Sequence, residues 1–230
     1  MSFFPGNDPE AGDAFPCDAI EALIFPKVSD IVGFEVRRAL PSLKRKLVGP
    51  FIFFDRMGPA TFKPGEAIDV RPHPHIGLST VTYLYDGTIR HRDSLGTEMV
   101  IEPGDVNLMT AGRGIVHSER TPEELRGSPM SMSGLQTWIA LPDDKEEVAP
   151  TFENTGRALL PEFDDDGASG RIVIGNDVRA RVIGSKARVF VVGSKAQVLV
   201  VLAADLLLHP VAGVVGVACS VRATRPSVRQ

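Results

Sequence analysis

Between Gly33 and Leu141 the chain is written in short β-rich runs, each closed by a turn signal. No other feature constrains its fold as tightly. The runs include FEVRRAL, PFIFFDRMGP, STVTYLYDG, TIRHRDSLG, TEMVIEPGD, VNLMTAGRG, IVHSER and LQTWIAL. Such runs at roughly ten-residue spacing predict an antiparallel sandwich or barrel. YDGTIRHRD reads as a hairpin, because Asp86-Gly87 suits a tight turn with positive φ. EPGD (102–105) is a second turn. GRG (112–114) is a third, and no strand–loop–helix pattern or lysine follows to make it a phosphate cradle.

Within this region RPHPHIG (71–77) places two imidazoles two residues apart. On a strand, residues i and i+2 share a face, so His73 and His75 project together. Pro72 and Pro74 put the segment on an edge strand or strand end. Further on, GRGIVHSER repeats the device with His117 and Glu119. The chain has 5 histidines, and three of them fall into these two pairs. Two neighbouring strands would bring three imidazoles and one carboxylate around one ion. That nitrogen and oxygen set suits divalent Fe, Mn, Ni, Cu or Zn rather than Cu(I). A six-coordinate ion would keep two positions open for chemistry or ligand sensing. The same residues also suit a buried hydrogen-bonded cluster without metal. His91, between Arg90 and Arg92 and next to Asp93, reads first as a surface strand or turn histidine outside the ligand set, and second as a residue behind the ligands or at the pocket rim.

Other signals exclude more than they assign. A net charge of -4 gives no overall attraction to nucleic acid or anionic membrane. RRALPSLKRK (37–46) is basic but lacks interleaved aromatics, so it reads as a solvated loop. The N-terminus lacks a basic stretch followed by an apolar run, so no secretory signal is expected. The apolar stretch 198–221 is interrupted by Asp205, His209 and Pro210, which argues against a membrane span. Cys17 and Cys219 read as unpaired thiols in a reducing compartment, and the expected location is cytoplasmic. DDD (164–166) reads as a solvated acidic loop, because no EF-hand spacing follows it.

The runs VGPFIFFDRMGP, RPHPHIGLSTVTYLYDGTIRHRDSLG, IEPGDVNLMTAGRGIVHSERTPEE and LQTWIALP resemble the pirin family of the cupin superfamily. The resemblance extends from about Gly33 to Pro142. It implies an all-β fold of cupin β-barrel or jelly-roll type, with two barrels in one chain. It implies one metal, most often Fe(II), on His73, His75, His117 and Glu119. Some pirin-like proteins open the flavonol quercetin with dioxygen, and others are transcriptional or metabolic co-regulators acting through protein contacts. In the ring-opening reading, Glu119 is the catalytic base for the hydroxyl of a small aromatic enol or flavonol. Phe53, Phe54 and Met109 are then candidates for the apolar wall, and each singly also reads as ordinary core. Many pirins carry a glutamate where Ser79 stands, which leaves Glu119 as the carboxylate of the set.

The expected organisation is a lead-in (1–30, with one short helix around DAIEALIF), a metal-binding cupin domain (31–150), and a linker with the start of a second cupin (151–180). Residues 181–230 form an atypical segment. From about Ala180 glutamate vanishes, Phe190 is the only aromatic, and valine, alanine and glycine dominate. This abrupt change predicts an incomplete or aberrant second barrel, a truncated or frameshifted remnant. Three functional classes stay open: a dioxygenase, a non-enzymatic metal-dependent interaction module, and a degraded paralogue. Translating the neighbouring reading frames checks the tail. One frame is expected to continue a cupin pattern, and its absence from both would remove the main support for a frameshift.

Overall fold

The computed structural model describes residues 24–31, 33–162 and 171–174, together with the backbone of 163–165, 168–170, 188–194 and 197–203. Cys17, His209, Cys219, the short helix expected before residue 24 and most of the atypical tail lie outside the described residues. Contacts divide the chain into two compact units, one of them Pro26–Leu160.

That unit holds strands β1 (Lys27–Ile31), β2 (Phe34–Leu40), β3 (Phe51–Phe62), β4 (Asp69–His75), β5 (Leu78–Asp86), β6 (Ile89–Asp93), β7 (Glu98–Ile101), β8 (Val106–Thr110), β9 (Ile115–Arg120), β10 (Met130–Ala140) and β11 (Thr151–Thr155). Seven form one sheet in the order β1-β2-β3-β10-β5-β8-β11, and four form a second in the order β4-β9-β6-β7. Every pairing within both is antiparallel. The expected all-β sandwich or barrel is therefore the observed one. The other unit contains a four-stranded sheet, β12 (Glu162–Asp165), β13 (Ala168–Ile174), β14 (Arg188–Ser194) and β15 (Gln197–Ala203), in which β13 and β14 run parallel. Among the described residues no helix is long and apolar enough to cross a membrane.

The Asp86-Gly87 turn corrects one expectation. β5 pairs with β10 and β8, whereas β6 pairs with β7 and β9, so YDGTIRHRD is not a hairpin. The turn carries the chain from the large sheet to the small one. Met132 and Ser131 press against it so closely that a Cβ on Gly87 would sit 2.3 Å from the Ser131 carbonyl oxygen. EPGD makes the return crossing, from β7 to β8. The hairpin of the small sheet is β6–β7, turning at Ser94–Gly96. RRALPSLKRK is also only partly a loop, since its first four residues, Arg37–Leu40, complete β2. There Arg38 makes a two-pronged hydrogen bond to the buried Asp55 on β3, at 2.9 and 2.7 Å.

The space between the sheets is graded along the strands. At one end Phe34, Val36, Met57, Phe62, Ile68, Leu84, Ile89, Ile101 and Met132 form an apolar plug drawn from both sheets. Stepping along β5 on the same face, Leu84 gives way to Thr82 and then Thr80. Polar residues therefore begin where the plug stops. β5 is buried continuously from Ser79 to Leu84, so neither of its faces is open to solvent.

Gly87 (φ +79) and Gly96 (φ +86) both occupy the left-handed region, but nothing lies within 4 Å of a Cβ at Gly96. Gly96→Ala is therefore expected to lose about 1–2 kcal/mol from backbone strain alone. Gly87→Ala should lose more by at least about 1 kcal/mol, because the clash with rigid backbone adds to the strain. Urea unfolding of the two variants checks this, and equal losses would contradict the crowding at the sheet crossing.

Candidate metal centre

β4 and β9 are adjacent and antiparallel, and His73 stands directly opposite His117. His75, two residues on from His73, projects to the same face and is opposite Ile115. A register irregularity between Val70 and His73 sets this alignment where the prolines interrupt the edge strand. As a result, one ring nitrogen from each of His73, His75 and His117 lies within 4.8 Å of the other two. Ring centroids are 4.4 Å apart for His73–His117, 4.9 Å for His73–His75 and 5.0 Å for His75–His117.

The protonation pattern suits ligation. His73 Nδ1 lies 2.9 Å from the Arg71 carbonyl oxygen. A carbonyl only accepts, so the proton is on Nδ1 and the Nε2 lone pair is free. His117 Nε2 is buried and has no hydrogen-bond partner. Burial first, and the neighbouring His73 second, push the His75 pKa down to about 4. Burial, with added repulsion from His73, His75 and His91, pushes His117 down to about 2. Both rings are therefore neutral at ordinary pH, the form that binds a metal. Three converging imidazoles, one with an unpartnered buried nitrogen, fit a divalent transition metal.

Glu119 is buried two residues along β9 from His117, outside the three-histidine group. Gln136 Nε2 on β10 lies 3.0 and 3.2 Å from its two carboxylate oxygens, and Thr82 Oγ1 lies 3.5 Å from Oε1. The carboxylate is thus anchored to the large sheet while the imidazoles belong to the small one.

His91 corrects another expectation, because it is only 2% exposed. Arg90 and Arg92 point to the opposite face, while Ile89, His91 and Asp93 alternate inward. The His91 ring stacks on Phe152 at 4.2 Å, and its nitrogens lie 3.0 Å from Asp93 Oδ2 and 3.4 Å from His117 Nδ1. Burial alone would raise the Asp93 pKa, but hydrogen bonds from His91, Thr97 and Leu95 outweigh it and hold the carboxyl below its usual range.

Phe53 and Met109 lie on the inward row of the large sheet, in register with Trp138 and Thr80. Phe54 does not: as the next residue along β3 it projects to the other face, in register with Thr137. Trp138 and Gln136 were missed in the sequence, although both sit in the LQTWIAL run. Trp138 stacks on Phe53 at 4.2 Å and meets His75 edge-on at 4.9 Å, and its indole Nε1 is buried without a hydrogen-bond partner. Arg38 lies over the Phe53 ring at 4.5 Å. Ser79 is buried, with its hydroxyl 3.1 Å from that of Thr110.

Residues 33–139 match the family profile described as Pirin. A pirin-like protein of Caulobacter vibrioides is 48% identical over 165 residues, covering 70% of this chain and 57% of its own length. A crystal structure of a quercetin 2,3-dioxygenase from Acinetobacter baumannii is 43% identical with a TM-score of 0.58, covering 64% of this chain and 47% of that one. A second structure of the same description and organism is 28% identical with a TM-score of 0.62, covering 74% and 62%. The chain spans about half the length of the curated relatives it matches.

The depressed histidines predict a pH dependence in the metal-free chain. Unfolded, both rings titrate near pH 6.5; folded, they resist protonation until about 4 and about 2. Their contribution to stability is therefore complete above about pH 6.5 and is lost as the pH falls toward about 4, at up to about 1.4 kcal/mol per pH unit for each ring. Urea midpoints at about pH 7.5 and about pH 5 check this. Replacing His75 and His117 together by Gln should flatten the difference, and an unchanged slope would contradict the assignment.

Proposed function

Residues 33–139 belong to the pirin family of cupin barrels, and from that premise we propose that this barrel binds one divalent transition metal, iron foremost, and acts on a small aromatic enol of flavonol type with dioxygen. The convergence of His73, His75 and His117, with the unpartnered Nε2 of His117 among them, carries the reading. The relationship to quercetin 2,3-dioxygenases from Acinetobacter baumannii supports the substrate class.

When bound, such an ion supplies the Lewis acidity and redox reactivity that side chains lack. The three histidines would hold it, with Glu119 beside them as fourth ligand and proton acceptor. Gln136 and Thr82 fix the Glu119 carboxylate, so it can take the enol proton without first finding its orientation. Phe53, Trp138 and Met109 offer flat and apolar contacts to an aromatic ligand, and the unpartnered Trp138 N–H offers a donor to one of its oxygens. The plug around Leu84 and Met132 closes the far end of the barrel to water.

Elemental analysis of the purified chain after dialysis should find about one transition-metal ion per chain, as an open three-histidine site implies. His117→Ala should lose most of it. With metal bound, quercetin should be consumed under oxygen, and Glu119→Gln should slow turnover by about 10²–10⁴-fold, the usual worth of a positioned base. Full metal without turnover would leave a metal-dependent binding module and remove the dioxygenase reading. An unchanged metal content in His117→Ala would remove the site itself.

A further inference from the structure

Asp93, His91 and His117 form a line of hydrogen bonds that ends at the metal-facing nitrogen. With both rings in the neutral form, its geometry can be read in one direction only. Asp93 Oδ1 accepts from the backbone N–H of Leu95 at 2.9 Å and of Thr97 at 3.0 Å. Asp93 Oδ2, the remaining oxygen, faces His91 Nε2 at 3.0 Å. A carboxylate accepts, so His91 Nε2 carries a proton, and in the neutral ring Nδ1 then holds a lone pair. That Nδ1 faces His117 Nδ1 at 3.4 Å, so the proton between the two rings must come from His117. His117 is then protonated on Nδ1, and its Nε2 lone pair is free. This is the buried nitrogen that has no other partner. Phe152, stacked on His91 at 4.2 Å, fixes the plane of the ring between them.

We infer that Asp93 and His91 are positioning residues that hold His117 in the one tautomer able to bind a metal through Nε2. Neither is a ligand. The inference rests on the metal reading for its consequence, but the tautomer itself is a property of the metal-free chain. His73 reaches the same end separately, by donating to the Arg71 carbonyl. The relay thus does for His117 what the Arg71 carbonyl does for His73.

The two backbone donors make Asp93→Asn a directed test. Leu95 and Thr97 N–H require an acceptor at the position of Oδ1, so the asparagine carbonyl must stay there. Its amide N–H₂ is then turned toward His91 Nε2 and donates to it. His91 carries its proton on Nδ1 instead and donates to His117, whose own proton moves to Nε2 and blocks the lone pair. Side-chain ¹⁵N shifts of the metal-free, full-length chain report the tautomers. The wild type should show His117 protonated on Nδ1, and Asp93→Asn should show it on Nε2. Ni(II) affinity, measured by chelator competition, should fall about 10–100-fold in Asp93→Asn, the range typical of lost outer-shell partners. His91→Ala should show mixed His117 tautomers and a smaller loss.

A wild-type His117 protonated on Nε2 would overturn the relay, and this needs no variant to fold. Wild-type tautomer and affinity in a folded Asp93→Asn would also overturn it. The expected tautomer in a wild type that fails to bind Ni(II) would support the relay while removing the metal reading, so the two failures are separable.

Discussion

The site depends on one backbone alignment, the antiparallel register that sets His73 opposite His117. Side chains on a strand alternate between faces, so a one-residue slip of β4 past β9 would turn the His73–His75 pair away from His117. The alignment is held from both sides. Asp69 at the start of β4 pairs with Arg120 at the end of β9 and receives a two-pronged hydrogen bond from Arg126. At the other end Gly77 N–H donates to the Gly112 carbonyl, and Val116 N–H donates to Ser94 Oγ. These contacts lie outside the ligand cluster, yet they determine whether there is one.

The second constraint is the division of labour between the sheets. The small sheet supplies the imidazoles, Asp93 and Glu119. The large sheet supplies what orients and surrounds them: Gln136 and Thr82 for Glu119, Trp138 for His75, Phe152 for His91. Glu119, His75 and His91 of the small sheet are thus each met by a partner from the large one. This explains why the turns at Gly87 and Gly104 matter to a site they never touch. They set the spacing and offset of the two sheets, and with it whether Gln136 reaches Glu119.

Much of this was legible in the sequence. The strand texture, the turns and the two same-face pairs required only the two-residue period of a strand. What escaped has identifiable causes. His91 was read as exposed because charged neighbours dominate IRHRD. Yet the alternation Ile89, His91, Asp93 was present, and only the assumption that arginines mark a wholly solvated segment concealed it. Gln136 and Trp138 sit on a strand remote in sequence from both histidine pairs, so their role required the sheet order. YDGTIRHRD misled because a turn dipeptide specifies a local reversal, not which sheet the next strand joins. Phe54 was grouped with Phe53 by proximity alone, and the pleat separates them.

Energetics favour a functional reading of the histidine cluster over a merely structural one. A buried polar atom without a partner is destabilising by about 1–3 kcal/mol. Valine or leucine at the same inward positions would add apolar burial at no such cost. The chain keeps instead a buried His117 with an unpartnered Nε2, held close to two further imidazoles whose charged forms repel one another. It also encloses the Asp93 side chain and supplies it with two backbone N–H groups and a third donor in His91. An arrangement that sacrifices stability at one atom while satisfying the atoms around it is what preorganisation for a ligand requires. A core histidine retained by chance would have no need of such a shell.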